Sequence, residues 1–171
     1  IATNNKMIAN FAKSFQYRGA DIYSRNERYV NPGRNVRMTE INALLIRKQL
    51  KNLKKFLKTR RTNAKLYFNA LIKLKKINLI NVKHLSQSTF WKFPVLLNNS
   101  SKRKNILMKL HKIGIMADTT YTPPAHLQPI LKKLYKFKKN SLPITENNLS
   151  RIICLPCHQS LEKKDILYVC Q

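Results

Sequence analysis

Glycine is nearly missing from this sequence. Gly19, Gly33 and Gly114 are the only three in 171 residues, well below the usual share of about 7%. No G-x-x-x-x-G-K or G-x-G-x-x-G can be written, which excludes a glycine-rich phosphate cradle. Acidic residues are scarce as well, 7 against 34 Lys and Arg. Cysteines number 3; an odd count argues against a closed disulfide framework and fits a reducing compartment. No run approaches the roughly 18 apolar residues of a membrane span, and no secretory signal opens the chain. A cytoplasmic location without a membrane partner is the expectation. The first residue is Ile1, and Gln171 falls inside the apolar helical pattern Ile166, Leu167, Tyr168, Val169, Cys170, so both ends read as cut.

Hydrophobic residues make up 43% of the chain, enough for a core and too many for a disordered polymer. The length suits one compact domain or most of one. The formal charge of +27 has two readings. It attracts polyanions, so a basic nucleic-acid-binding module is one. Compositional drift is the other: Lys, Asn and Ile, encoded by A/T-rich codons, are abundant, and the lysines spread over the whole chain instead of forming a stripe.

Periodicity organises the rest. Residues 5–16 read as a helix with Met7, Ile8, Phe11 and Phe15 on one face. Residues 17–38 read as irregular, and a long irregular segment in a compact domain is often functional. Thr39 is a good N-cap, and a helical period runs on through Ile41, Leu44, Leu45, Leu50, Leu53, Phe56, Ala64, Phe68 and Leu71. A coiled coil is the runner-up, but the heptad slips after Leu57. Beyond it, residues 90–97 read as a strand, with Pro94 marking an edge. A helix capped by Ser101 and closed by Gly114 follows. Residues 115–121 read as a second strand and 152–155 as a third, separated by a helix over about 126–138 and a short one capped by Thr145. Ser160 is the expected cap of a last helix. The pattern predicts an α/β or α+β layer, with helices on a small sheet.

The segment Gly33-Arg34-Asn35-Val36-Arg37-Met38-Thr39-Glu40 is a loop entering a capped helix N-terminus, where free N–H groups and partial positive charge favour phosphate. Asn35 adds an amide donor and Arg37 a guanidinium fork. Downstream lie Thr59-Arg60-Arg61-Thr62-Asn63-Ala64-Lys65-Leu66-Tyr67, Tyr121-Thr122-Pro123-Pro124-Ala125-His126-Leu127-Gln128-Pro129, Leu142-Pro143-Ile144-Thr145-Glu146 and Leu155-Pro156-Cys157-His158-Gln159-Ser160-Leu161. This ordered set resembles the motifs of the DegT/DnrJ/StrS family of sugar aminotransferases, over nearly the whole chain.

The resemblance implies the C-terminal small domain of a type I pyridoxal-phosphate (PLP) enzyme, α/β (α+β) in class. A long linking helix would lead into a small sheet covered by helices. It divides the chain into the end of the large domain with an active-site loop (1–38), the linking helix (39–75) and the small domain (76–171). The implied activity is amino transfer to a nucleotide-linked keto sugar, usually from glutamate, for polysaccharide or sugar-antibiotic synthesis, in a homodimer. Asn35 and Arg37 would face the cofactor phosphate, Asn35 across the dimer interface. Tyr121, His126 and His158 would lie toward the nucleotide sugar. The lysine that holds PLP covalently would lie upstream of the opening Ile1-Ala2-Thr3-Asn4-Asn5, so no catalytic residue is assigned here. A non-catalytic remnant of the enzyme is the further alternative. Arg34, Thr120 and Gln159 depart from the family pattern, which leaves the sugar open.

Cys154-Leu155-Pro156-Cys157-His158 also matches the C-x-x-C-H haem attachment pattern. It ends an apolar strand instead of opening a helix, so Cys154 is expected to pack as a small hydrophobe and Cys157 to fill a loop position. No second Cys/His pair supports zinc, and no metal site is assigned. Phe90, Trp91 and Phe93 are expected in the sheet core. His84 and His111 are expected to be solvated.

Overall fold

The computed structural model describes residues 1–24, 28–80 and 87–171; His84 lies outside them. The chain divides into two compact units, Ile1–Asn52 and Leu53–Gln171, and the boundary falls within one continuous helix.

In the first unit, helix α1 (Lys6–Gln16) is capped by Asn5, whose side chain accepts from the Met7 and Ile8 amides at 2.9 and 3.2 Å. The segment after it is less irregular than expected, with isolated antiparallel bridges joining Tyr17 to Asn35 and Ala20 to Tyr29. Helix α2 (Glu40–Leu71) begins after Thr39, whose Oγ1 accepts from the Asn42 amide at 3.3 Å, as its capping chemistry predicts.

The second unit is α+β. Strands β1 (Ile77–Leu79), β2 (Phe93–Leu97) and β3 (Ile152–Leu155) form an antiparallel sheet in the order β1-β2-β3. Phe93, Val95 and Leu97 alternate inward, and Phe93 and Val95 stand opposite Leu155 and Ile153 on the same face. The later part of α2 contributes Ala64, Tyr67 and Leu71 to the core that these residues form, and the Tyr67 ring stacks on Phe93 with centroids 4.9 Å apart. Helices α3 (Arg103–Lys112), α4 (Pro129–Tyr135), α5 (Pro143–Arg151) and α6 (Lys163–Val169) follow; α6 closes the core with the fully buried Ile166.

Several expectations change. Pro94 lies in the central strand, not at an edge. Cys154 directs its N–H and C=O to Asp118, at 2.8 and 3.0 Å, and hence away from its opposite residue Pro94. The Pro94 nitrogen therefore points to the β1 side, where the ladder has already ended at Leu79 opposite Val95, so no ladder bond is lost. Residues 115–121 form no strand and hold only the bridge from Asp118 to Cys154. Asn99, not Ser101, provides the cap before α3 by accepting from the Ser101 amide at 2.9 Å. Pro143 occupies the first turn of α5, which leaves Thr145 inside the helix. A capping box between Glu162 and Asp165 opens α6 in place of Ser160. Trp91 is 59% exposed while Phe90 and Phe93 are core. Phe90 adopts φ 42°, which breaks the inward alternation just before β2. His111 is exposed as expected, and its Nε2 also donates to the Ala117 carbonyl at 2.7 Å.

Candidate functional site

The loop bearing Asn35 and Arg37 is held by two glycines pressed backbone to backbone. A Cβ on Gly33 would sit 2.1 Å from the Gly19 nitrogen, and one on Gly19, at φ +85°, would sit 1.6 Å from the Asn31 carbonyl oxygen. No other residue type fits either position. The Arg34 and Val36 amides donate to the Phe15 and Gln16 carbonyls at the end of α1, at 2.7 and 3.2 Å. Arg37 lies across the Tyr17 ring at 4.9 Å and donates through Nε to Asn35 Oδ1 at 3.2 Å. Asn35 Oδ1 is thus occupied, and its Nδ2 has no partner among the described residues. Both side chains are exposed and border a cavity of about 250 Å³ shared with Arg18 and Tyr29. Free amide and guanidinium donors at such a rim suit a phosphate.

His158 sits in the second unit, on a loop clamped by one face of α2. Asn63 Nδ2 donates to the His158 and Leu161 carbonyls at 3.2 and 3.4 Å, and Tyr67 Oη to the Pro156 carbonyl at 2.9 Å. Arg60 grips Gln159 Oε1 through Nε and Nη2 at 3.3 and 3.0 Å. Gln159, a departure from the family pattern, thus has a structural partner. Positions 60, 63 and 67 share one helix face, so a single surface of α2 sets the loop while the His158 side chain stays exposed. Cys157 occupies the loop after β3, where it is core at 2% exposure, and burial pushes its thiol up to about 11. Cys154 is buried on β3, and burial raises its thiol too. Both thiols stay protonated and unreactive at neutral pH.

His126 is buried, its Nε2 3.0 Å from Glu146 Oε1. Glu146 also accepts the Asn140 and Leu142 amides at 2.9 and 3.2 Å, so one carboxylate ties the turn after α4 to the start of α5 and to His126. The Asn140 amide, then His126, hold the Glu146 carboxyl below its ordinary value of 4.5. A lowered carboxyl pKa gives stability present above the unfolded value and lost as pH falls through the folded one. Glu146→Gln is therefore expected to speed hydrogen exchange at the Asn140 and Leu142 amides at pH 7. The gap from wild type should close as pH drops below 4.5. A gap unchanged across that range would remove Glu146 as the hub.

Tyr121 is 65% exposed and borders a cavity of about 390 Å³ next to β2. Lys92, which the motifs did not single out, projects there. Its ammonium pairs with Asp118 and donates to Thr120 Oγ1 at 2.5 Å, while Thr120 donates to Asp118 at 2.7 Å. Partial burial pushes the Asp118 carboxyl up, but the bonds from Lys92 and Thr120 outweigh it and hold the carboxyl below its usual range. The signal that could have found this cluster is scarcity: Asp118 is one of 7 acidic residues among 34 basic ones.

Asn35 and Arg37 belong to the first unit, and Tyr121, His126 and His158 to the second. The Leu53–Gln171 unit, the later part of a long helix with a helix-covered antiparallel sheet, is α+β in class. The aminotransferase TlmJ from Streptoalloteichus hindustanus has this fold, with a TM-score of 0.86 at 22% identity over 99% of this chain and 44% of that one. NtdA from Bacillus subtilis, solved with bound PMP, matches at a TM-score of 0.80 and 25% identity over 99% of this chain and 41% of that one. The chain belongs to the DegT/DnrJ/EryC1/StrS aminotransferase family, whose model matches residues 1–171. It is 28% identical to the 3-oxo-glucose-6-phosphate:glutamate aminotransferase of Bacillus subtilis over 96% of this chain and 38% of that protein. It is 26% identical to the GDP-perosamine synthase of Escherichia coli O157:H7 over 100% of this chain and 45% of that protein. The chain thus spans less than half the length of these relatives. Among the described residues, no helix is long and apolar enough to cross a membrane.

Proposed function

We propose that this chain supplies the C-terminal portion of a PLP-dependent aminotransferase that aminates a nucleotide-linked keto sugar, with glutamate as the usual donor, for polysaccharide or sugar-antibiotic synthesis. The observation that carries the proposal is the glycine-locked loop with its free Asn35 amide and Arg37 guanidinium. That donor set fits the phosphate of PLP, which when bound supplies an electron sink for amino transfer. Asn35 and Arg37 hold the phosphate end, and Tyr121 and the clamped His158 loop face the sugar side. His126, engaged by Glu146, belongs to the same sugar side. The division at 1–38, 39–75 and 76–171 and the homodimer belong to the same proposal.

The test joins this chain to a lysine-bearing N-terminal half and measures glutamate-dependent amination. The acceptors offered are dTDP-, GDP- and UDP-linked keto sugars beside 3-oxo-glucose 6-phosphate. Amino-sugar formation from a nucleotide-linked substrate is expected; turnover of the hexose phosphate alone would move the substrate to that class. Mixed with PLP and reduced with borohydride, this chain by itself is expected to show only scattered, low labelling of surface lysines. One stoichiometrically labelled lysine with transaminase activity would place the catalytic lysine inside the chain.

A further inference from the structure

In the Leu53–Gln171 unit, α2 has a second face besides the one it gives to the core. From Leu53 to Leu71 it holds no Asp or Glu. At about 100° per residue, the core residues Ala64, Tyr67 and Leu71 fall on one side of it. Lys54, Lys55, Lys58 and Lys65 fall on an arc of about 100° centred directly opposite. All four are exposed, and so are Thr62 and Asn69 on the same arc. Lysines that look scattered in the sequence thus form a row on the fold, about 16 Å long from Lys54 to Lys65. A solvated helix face commonly sets acids one turn from its bases. Here Lys54 and Lys55 each stand one turn from Lys58, a like-charge arrangement that destabilises the helix. Among the described residues none of the four lysines meets a carboxylate; the ion pairs there are Lys92–Asp118, His126–Glu146 and Lys164–Glu162. The row is an uncompensated positive field, relieved by a partner that brings several negative charges in line.

The placement of the row selects the partner. A helix that rests on an anionic bilayer turns its apolar face down and keeps its lysines level with the headgroups. In this stretch the apolar face is buried in the core, and the lysines stand opposite to it. None of the six outward positions is aromatic, so there is no platform for the unstacked bases of a single strand. A nucleic-acid duplex needs neither feature. It presents its phosphates as a regular line along a stiff rod. The four ammonium groups can follow that line, with the Thr62 hydroxyl and the Asn69 amide as neutral donors to phosphate oxygens. We propose that this face of α2 binds the phosphate backbone of duplex nucleic acid without reading its sequence. This is a second activity, independent of amino transfer.

Short labelled duplexes of DNA and of RNA are titrated with the 171-residue chain over a series of potassium chloride concentrations, with anisotropy as the signal. Log affinity should fall linearly with log salt. The variant Lys54→Gln, Lys55→Gln, Lys58→Gln, Lys65→Gln keeps helix propensity. It is expected to make that slope shallower by about 3–4, at about 0.9 per phosphate contact. The charge-matched control is Lys132→Gln, Lys133→Gln, Lys138→Gln, Lys139→Gln. Those lysines lie on the seven-residue α4 and in the segment after it, so they form no straight row. Their loss should move the slope by less than about 1. Arg at the same four α2 positions should restore it. Should the fourfold Gln variant disturb the fold by circular dichroism, Lys55→Gln and Lys58→Gln singly, each worth about 0.9, carry the same test. Binding of either duplex with this pattern supports the proposal and tells which backbone is held; binding of neither overturns it. Equal loss in the α2 variant and the control would make binding a matter of total charge and overturn it too. So would a single strand held as tightly as the duplex, or one sequence held against high salt. Phosphatidylserine vesicles captured as well as the duplex, with the same loss in the α2 variant, would hand the face to lipid. The aminotransferase reading stands whichever of these is found.

Discussion

Tyr67→Ala is expected to destabilise the Leu53–Gln171 unit by about 3–5 kcal/mol, the range for truncating an aromatic side chain in a packed core. Tyr67 is fully buried, stacks on Phe93 and bonds the Pro156 carbonyl at 2.9 Å. Burial also drives its phenol well above the usual 10, so the hydroxyl remains a donor throughout the working pH range. Two losses combine on truncation: the ring leaves a cavity between α2 and β2, and the loop bearing His158 loses one of its clamps. Tyr67→Phe separates them. It keeps the ring and abandons the Pro156 carbonyl, at about 1 kcal/mol. Denaturant midpoints read by circular dichroism, with the slope unchanged, give both values. Should Tyr67→Ala cost no more than Tyr67→Phe, stacking on Phe93 is not what holds α2 to the sheet. Since whole domains are stable by only about 5–15 kcal/mol, the full truncation is expected to leave this unit marginal.

What was legible in the sequence followed the physics of local signals. The periodicity that marks α2 is real along its whole length, but it cannot say which turns are covered. Tyr67 and Leu71 are core, whereas Ile41 at 71% exposure and Leu44 and Leu50 at 62% carry the same signal. The Thr39 cap was legible because the bond it makes spans three residues. Pro94 misled because its missing N–H matters only if a neighbouring strand reaches it, and where β1 stops is a tertiary fact. The apolar run at 115–121 looked like a strand, yet only Asp118 meets β3. The loop of Asn35 and Arg37, proposed to hold a phosphate, stands as a contiguous motif in the sequence. The Lys92–Asp118–Thr120 triad does not, because 26 residues separate its first two members and only the fold brings them together. Charge pattern likewise left the nucleic-acid alternative open, because it speaks to partners and not to the fold.

Asn35→Ala, in this chain joined to a lysine-bearing N-terminal half as proposed above, is expected to weaken PLP binding by about 1–3 kcal/mol, the range for depriving a charged group of a hydrogen bond. Asn35 Oδ1 is already taken by Arg37 Nε at 3.2 Å, which turns the amide nitrogen outward as the donor. Its removal would cost the proposed phosphate contact and would also release Arg37, which among the described residues keeps the Tyr17 ring at 4.9 Å. Fold stability should change little, since Asn35 is exposed and the loop is locked by Gly19 and Gly33. Helical circular dichroism should therefore stay at the wild-type level while cofactor titrations shift. A mixed dimer tests which subunit owns the phosphate. One subunit lacks the catalytic lysine and keeps Asn35; the other keeps the lysine and carries Asn35→Ala. If Asn35 acts across the interface, one composite site is intact and the other doubly damaged, so the surviving activity titrates with wild-type PLP affinity. If it acts within its own subunit, the only lysine-bearing site also carries the Asn35 lesion. Activity that saturates with PLP no better than the Asn35→Ala homodimer would then confine Asn35 to its own subunit.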